Sequence, residues 1–298
     1  MEELTAFLEV VEYTLRTSVG ASVTGVHRGI LPGSTGRFAG YTSLTHRPDL
    51  RRVDPVATQR ARSLVPLVRR YRSTVAVPVV ALVDLTASMA WTGRYDRLRE
   101  VAKLCVCLAY SAYRLGDRFA LIGYREDGVW YVPPSRSPRQ AWEVGAGLWD
   151  YRPPERPAGA PRGSLAGFYQ ALALLPTSTA LVFWISDFYL SEEAVRWGLA
   201  HVCRHDAVAV VLRDPVETQG QLRDGWARLM DAETGERRSL WVRPRLRAEI
   251  ARRVRQWDAW LGEACRQFGV DLYPVMGPFR VGAFIAFFLD RRCGASPS

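Results

Sequence analysis

From residue 74 onward, the chain alternates between short continuous apolar runs and longer segments whose apolar residues recur at helical spacing. The runs are rich in β-branched residues and bounded by polar ones, which is typical of parallel strands buried on both faces. The pattern predicts an α/β domain of three layers, Rossmann-like, with a mainly parallel central sheet. The predicted strands lie at 75–83, 118–124, 128–132, 179–186, 206–212 and 269–275, and the predicted helices at 95–115, 140–149, 165–175, 191–204 and 244–268, with a last helix from 281.

The segment before residue 74 does not show this alternation of strands and helices. A helix is predicted at 4–18, and a glycine-rich extended segment and a mixed basic segment follow it. We therefore predict an N-terminal extension over 1–73 and one α/β domain over 74–298. Within that domain, the segment near 226–242 has the pattern of an inserted hairpin, placed before the long helix.

Composition supports a folded protein without a membrane span. Apolar residues make up 48% of 298 residues, enough for a sizeable core. No window approaches the ~18 or more consecutive apolar residues that a spanning helix needs. The first residues, MEELTAFLEVVEYTLR, lack the basic region of a signal peptide, so we expect a cytoplasmic protein. Five cysteines without CxxC spacing are expected to be free thiols.

The net charge of +10 comes almost entirely from arginine, since Lys103 is the only lysine. Ten arginines against two aspartates lie between His27 and Arg72, and a second basic cluster covers 243–255. Guanidinium groups suit carboxylate or phosphate partners, so an acidic protein face or a nucleic acid is compatible with this charge. Because the chain carries no recognised nucleic-acid motif, the protein partner is the favoured interpretation.

Oxygen-bearing side chains gather at the predicted ends of strands. Ligands of open α/β sheets bind at the carboxyl ends of strands, where the loops after different strands meet. Hard oxygen ligands suit Mg²⁺ or a similar cation. The same residue types are also preferred as helix caps and in turns, so a purely local role stays open. Five candidates follow a predicted strand or open a predicted helix: Asp84, Thr86, Ser88, Ser164 and Asp187.

The order D-x-T-x-S, hydroxyl, S-D resembles the metal-ion-dependent adhesion site of von Willebrand factor A domains. The usual pattern of that site is D-x-S-x-S, a threonine and an aspartate. The resemblance implies that Thr86, Ser88 and Ser164 are direct ligands of Mg²⁺, Mn²⁺ or Ca²⁺, with Asp84 and Asp187 acting partly through water. Neutral hydroxyls leave much of the ionic charge unbalanced, so an open position would accept an acidic residue of a partner.

A second resemblance covers most of the chain. The stretch RFAGYTSLTHRPDLRRVDP at 37–55 is similar to the upstream signature of the bacterial family called domain of unknown function 58. The stretches RHDAVAVVLRDPVE at 204–217 and DAETGE at 231–236 resemble later signatures of the same family. Members of that family carry a von Willebrand factor A-like domain and often sit beside MoxR-type AAA+ ATPases, so the resemblance implies a role in the maturation or activation of other protein complexes. The signature residues matched in the first stretch are Phe38, Tyr41, Asp49, Arg51 and Asp54.

These resemblances lead to a functional expectation. We expect a non-catalytic adaptor that binds an acidic residue of a client protein at the metal and acts with a MoxR-type AAA+ ATPase in maturation or activation of that client complex. Arg51 and Arg52 of the basic extension are expected to contact an acidic surface, and Phe188 to contact the partner beside the metal.

Two other classes of function stay open. A phosphoester hydrolase would use Asp84 as nucleophile, but Thr86 stands where that chemistry normally has a second aspartate as general acid. A basic nucleic-acid-binding protein is the other alternative. The sequence HVCRH places His201 and His205 on one helix face, but Cys203 points elsewhere and no third ligand is near, so we expect a structural or interface role there.

Overall fold

A computed structural model describes residues 24–28, 37–45, 50–61, 63–72, 74–90, 93–154, 164–218, 225–230 and 237–293. The chain divides into two compact units, with Leu15–Val77 as the smaller one and the described part of the larger one beginning at Pro78. The helix predicted at 4–18 lies outside the described residues.

The described residues of the smaller unit form two short antiparallel pairs, a 3₁₀ turn and a short α-helix. Strand β1 (Thr24–Arg28) pairs with β4 (Thr74–Val75), and β2 (Arg37–Ser43) pairs with β3 (Leu67–Arg72). Helix α1 covers Pro55–Arg60 and has a proline in its first turn, where the missing N–H costs no hydrogen bond.

Asp54 ties the smaller unit together. Its carboxylate accepts hydrogen bonds from the Ala57 amide at 3.0 Å, from Arg69 Nε at 2.8 Å and from the Tyr41 hydroxyl at 3.1 Å. The Ala57 amide, followed by Arg69, lowers the pKa of Asp54 to about 2. Tyr41 and Asp54, which carried part of the family resemblance, are therefore in direct contact.

The larger unit is built around a six-stranded sheet with the strand order β12-β9-β8-β5-β6-β7. All neighbouring strands are parallel except β6 and β7, which form an antiparallel pair at one edge. The predicted α/β class with a mainly parallel central sheet is thus confirmed. The strands are β5 (Pro78–Asp84), β6 (Arg118–Arg125), β7 (Gly128–Ser135), β8 (Leu181–Ser186), β9 (Asp206–Arg213), the hairpin β10 (Gly225–Met230) and β11 (Arg237–Val242), and β12 (Asp271–Met276).

Helices cover both faces of this sheet. Neighbouring residues of a strand point to opposite faces, and in β8 the ring of Trp184 stacks on Phe168, whereas the ring of Phe183 contacts Phe284. Phe168 and Phe284 belong to different helices, so each face has its own helical layer. The helices are α2 (Arg97–Leu115), α3 (Pro138–Asp150), α4 (Ala166–Ala173), α5 (Glu192–Val202), α6 (Pro215–Thr218), α7 (Pro244–Gln267) and α8 (Val281–Cys293).

Both edge strands of the sheet carry proline. Pro133 and Pro134 lie in β7, and Pro274 lies in β12 opposite Val211 of β9. Proline has no backbone N–H and is tolerated at sheet edges for that reason. In the described part of the chain, no helix combines the length and the apolar character needed to cross a membrane.

Cys105, Cys107, Cys203 and Cys265 are free thiols, as predicted. Cys105, Cys107 and Cys265 are buried, and Cys203 is exposed. Burial raises the pKa of Cys265 to about 12 and so disfavours its thiolate, which agrees with a thiol that fills space in the core.

Candidate functional site

The carboxyl ends of β5 and β8 meet at one edge of the sheet. These strands are parallel neighbours, with Val83 opposite Ile185, so Asp84 at the end of one lies beside Ser186 at the end of the other. The Ser186 hydroxyl donates a hydrogen bond to Asp84 Oδ2 at 2.7 Å. Residues 102 positions apart in the chain are thereby joined at the predicted edge.

Thr86 and Ser88 complete a hydrogen-bonded cluster around Asp84. The Thr86 amide and hydroxyl donate to Asp84 Oδ1 at 3.0 and 2.7 Å, respectively. The hydroxyl oxygens of Thr86 and Ser88 lie 3.2 Å apart, with Ser88 in the 3₁₀ turn Ala87–Ala90. Asp84 is buried, whereas Thr86 and Ser88 are partly exposed, so the cluster reaches the surface at these two residues.

The groups that donate hydrogen bonds to Asp84, from Thr86 and Ser186, are neutral. Burial is the main cause that raises the pKa of this carboxyl to about 6, and the negative charge of Asp187 adds to it. Hydrogen bonds from Thr86 and Ser186 oppose the shift without cancelling it. A cation placed between the two carboxyls would relieve both the burial of charge and the repulsion.

The turn that carries Asp187 is held by several bonds. The Phe188 amide donates to Ser186 Oγ at 2.8 Å, and the Tyr189 amide donates to Asp187 Oδ1 at 3.2 Å. Phe188 has a φ of 55°, in the left-handed region that a bulky residue rarely adopts. Its carbonyl accepts a bond of 3.0 Å from Trp257 Nε1 of α7, which helps to hold this strained conformation.

The same turn corrects the expectation for Phe188. Its side chain is fully buried and contacts Trp184 with ring centroids 4.7 Å apart. The positive φ directs the ring into the core rather than along the sheet edge. Phe188 therefore offers no surface to a partner, and its role is to fix the turn.

Arg97 is the main residue that sequence reasoning missed at this edge. It is the first residue of α2 and is buried. Its Nη1 donates to Asp187 Oδ2 at 3.2 Å, and its Nη2 donates to Glu217 Oε2 of α6 at 2.5 Å. No local signal distinguishes Arg97 from the many other arginines, because its partners lie 90 and 120 residues away.

A second buried arginine supports the same turn. Arg213, at the end of β9, donates from Nη1 to the main-chain carbonyl of Asp187. Its Nε and Nη2 bind Asp258 Oδ1 of α7 at 2.9 and 2.7 Å. Both Arg213 and Glu217 belong to the stretch 204–217 that resembled a family signature, and that stretch was the available signal for them.

Residues 47–259, which include all of this edge, match the sequence profile of a family described as protein of unknown function DUF58. The chain belongs to the DUF58 family. An uncharacterised protein of Mycobacterium tuberculosis is 28% identical over 98% of this chain and 91% of its own length. An uncharacterised protein of Paracoccus denitrificans, whose name places it in the moxR 3′ region, is 35% identical over 97 residues, 33% of this chain and 92% of its own.

Among solved structures, the conserved hypothetical protein BatB from Bacteroides thetaiotaomicron is similar over 74% of this chain and 100% of its own, at 12% identity and a TM-score of 0.44. This likeness is too distant to bear on the site or the function of the DUF58 chain. The residues of the edge therefore have to be interpreted from their own geometry.

Ser164 stands apart from the cluster in this DUF58 protein. It is exposed, and its hydroxyl accepts a hydrogen bond of 3.1 Å from the Ala166 amide at the start of α4. Within the described residues, the bonds that join Asp84, Thr86, Ser88 and Ser186 do not extend to it. This bond is the local role that was weighed against metal binding, and the preceding residues 155–163 lie outside the described structure.

Arg51 and Arg52 belong to the smaller unit of the DUF58 chain. They lie in the 3₁₀ turn Leu50–Arg52, and Arg51 is exposed. Asp49 of the same signature lies outside the described residues. Their expected contact with an acidic surface stays a prediction.

Two side chains of the HVCRH segment bind main-chain carbonyls of their own helix. His201 Nδ1 bonds the Trp197 carbonyl at 2.8 Å, and Cys203 Sγ bonds the Ala200 carbonyl at 3.3 Å. Asp206, next to His205, forms a buried ion pair with Arg291 of α8. These contacts agree with the structural role expected for the segment.

The donor set at the β5–β8 edge suits a hard cation in its chemistry. Within the described part of the chain, no group of three or more His, Cys, Asp or Glu residues is suited to metal binding, so hydroxyls have to complete any site. Asp84, Thr86, Ser88 and Asp187 offer carboxylate and hydroxyl oxygens, the ligands that Mg²⁺ prefers. A cavity of about 100 Å³, lined by Thr86 and Tyr151 among others, opens beside the cluster.

Proposed function

We propose that this DUF58 protein is a non-catalytic adaptor that holds a divalent cation at the β5–β8 edge and receives an acidic residue of a partner there. The observation that carries the proposal is the 2.7 Å bond between Ser186 and Asp84, which joins two strand ends and brings the buried Asp84 to the turn that carries the buried Asp187. Mg²⁺ is the simplest occupant, and Mn²⁺ or Ca²⁺ has the same preference for oxygen.

The hydroxyls and the carboxylates of the cluster would contribute to ion binding in different ways. Thr86 and Ser88 are partly exposed and would bind it directly, while Asp84 and Asp187, each of which accepts hydrogen bonds, would hold it from the buried side. The bound ion supplies positive charge with an open position for an incoming carboxylate. Ser164 would join only if the start of α4 moved, because its hydroxyl already accepts the Ala166 amide.

The geometry favours binding over phosphoester hydrolysis. Both carboxylate oxygens of Asp84 accept hydrogen bonds, from Thr86 and from Ser186, and the side chain is buried. A nucleophile needs an oxygen directed at the substrate, and a general acid has to protonate the leaving group. Thr86 occupies the position of that acid and has no acidic proton at neutral pH.

The proposed partner is a MoxR-type AAA+ ATPase, with which the adaptor would mature or activate a client complex. The relative from the moxR 3′ region of Paracoccus denitrificans supports this part of the proposal. The arginine-rich segment before residue 73, including Arg51 and Arg52, would contact an acidic face of the ATPase, and the cation would bind the client.

The test is capture of a MoxR-type ATPase and its client by the full-length chain, with Mg²⁺ and with EDTA. Client capture should require Mg²⁺ and should be lost in Asp84→Ala and Ser88→Ala. Ser239→Ala, an exposed serine of the hairpin, is the matched control and should bind as the wild type does. Client capture that persists in EDTA would remove the cation from the mechanism. Turnover of p-nitrophenyl phosphate that disappears in Asp84→Ala would favour the hydrolase instead.

A further inference from the structure

Arg97 lies between two carboxylates that belong to different elements. Its Nη1 is 3.2 Å from Asp187 at the end of β8, and its Nη2 is 2.5 Å from Glu217 of α6. The side chains of Arg97 and Asp187 are 4% and 2% exposed, whereas Glu217 is 19% exposed. The guanidinium is therefore shared between a residue of the candidate cation site and a residue outside it, and it lies closer to the outside one.

Two ion pairs lie beside Asp84 and Asp187 at this edge, and the two aspartates add an excess of negative charge. Arg97 is balanced by Glu217, and Arg213 is balanced by Asp258 at 2.7 Å. Of these six acidic and basic side chains, Asp84 and Asp187 remain, with two negative charges when both are ionised. A divalent cation matches that excess. Without Glu217, the charge of Arg97 would act more strongly on Asp187 and would offset more of its negative charge.

We propose that Arg97 and Glu217 form a tuning pair that sets the affinity of the Asp84–Asp187 edge for a divalent cation. This inference rests on the proposed function. Glu217 draws the guanidinium toward α6 and so leaves the negative charge of Asp187 available to the cation, while Arg97 limits how strongly the cation binds. Arg97 and Glu217 are positioning residues, since neither is proposed to touch the ion.

The tuning pair predicts opposite effects for its two members. Arg97→Gln removes a positive charge near the site, so the affinity for the cation should rise by about tenfold or more. Glu217→Gln removes a negative charge that binds Arg97, so the guanidinium should act more strongly on Asp187 and the affinity should fall by about tenfold. Arg97→Lys keeps the charge and should bind close to the wild type. A merely structural role would weaken binding in both glutamine variants.

The experiment is titration of the full-length proteins with Mn²⁺ alone, followed by electron paramagnetic resonance of the unbound ion, at pH 8 and fixed ionic strength. Tighter binding in Arg97→Gln together with weaker binding in Glu217→Gln supports the tuning pair. Equal or weaker binding in Arg97→Gln, in a variant that keeps the wild-type circular dichroism spectrum, overturns it while the cation site itself stands.

The inference can be tested even if one of the variants does not fold. If Arg97→Gln fails to fold, Glu217→Gln still tests the inference, because Glu217 is partly exposed and its replacement leaves Arg97 in place. Wild-type affinity in Glu217→Gln then overturns the tuning pair, and a tenfold loss supports it. Absence of Mn²⁺ binding in every variant and in the wild type overturns the proposed cation site and the tuning pair together.

Discussion

Arg213 donates a hydrogen bond to the main-chain carbonyl of Asp187 and so ties the end of β9 to the turn after β8. The same side chain binds Asp258 of α7 and lies over the Tyr189 ring, with its Cζ 4.6 Å from the ring centroid. Three elements of the larger unit therefore meet at one guanidinium, directly behind the candidate site.

Replacement of this arginine should destabilise the fold. In Arg213→Met, the Asp187 carbonyl loses a buried donor and Asp258 loses its cation, so we expect the free energy of unfolding to fall by about 3 kcal/mol. This is the lower end of the range for a broken buried pair, because the Asp258 side chain is 36% exposed and can be hydrated. Urea denaturation followed by circular dichroism measures the change.

Arg139→Met is the matched control for that substitution. Arg139 forms an i,i+4 pair with Glu143 at 2.8 Å on α3, but its side chain is 84% exposed. Exposed pairs contribute little, so its loss should change the free energy of unfolding by no more than about 0.5 kcal/mol. Equal losses in the two variants would contradict the role given to Arg213.

The raised pKa of Asp84 predicts a specific pH dependence of stability. The folded-state pKa is about 6 and the ordinary value is 3.8, so between these values the folded protein holds a proton that the unfolded chain has released. The contribution to stability is full below pH 3.8 and is lost as the pH rises through 6. The total loss is on the order of 2–3 kcal/mol.

Asp84→Asn removes this titration. The free energies of unfolding of wild type and variant, measured in EDTA from pH 4.5 to 7.5, should differ by an amount that changes with pH, in favour of the variant at the higher values. Parallel curves over this range would show that Asp84 titrates normally in the folded protein.

Gly167 of α4 allows a close approach between that helix and the turn joining β6 to β7. A Cβ atom at this position would lie 1.9 Å from the Arg125 carbonyl oxygen and 2.6 Å from that of Gly128. Both contacts are with backbone, so Gly167→Ala should displace α4 and lower the free energy of unfolding by about 2 kcal/mol or more.

Gly262→Ala, on another helix, should stabilise the protein instead. Gly262 lies inside α7, and a Cβ atom there would meet nothing within 4 Å. Because alanine loses less backbone entropy than glycine in a helix, this variant should be more stable by about 0.5–1 kcal/mol. Thermal unfolding of both variants beside the wild type measures the contrast, and a stable Gly167→Ala would mean that α4 tolerates a shift.

The sheet and the meeting of its strand ends follow from local pattern and topology. The apolar run at 75–83 became β5 (Pro78–Asp84), because continuous β-branched residues are stable only when both faces of a strand are covered. Parallel pairing with β8 then brings Asp84 and Ser186 to one edge without further information. The predicted and observed ends of this strand differ by a few residues, because hydrogen bonding rather than hydrophobicity determines where a strand begins and ends.

The remaining features depend on contacts that no local pattern contains. Arg97 acquires its role from Asp187 and Glu217, which reach it only after three elements have packed. Phe188 was placed beside the edge because it follows Asp187, but the positive φ turned its ring into the core. Ser164 illustrates a competition, since a hydroxyl before a helix can bind the helix amide as readily as a ligand.

The prolines in β7 and β12 restrict how a partner can join this molecule. A strand added to either edge of the sheet would meet positions without a backbone donor, at Pro133, Pro134 or Pro274. Edges protected in this way resist growth by strand addition. Recognition is thereby directed to side chains at the ends of the strands and on the helices, where it can depend on charge and be selective for one partner.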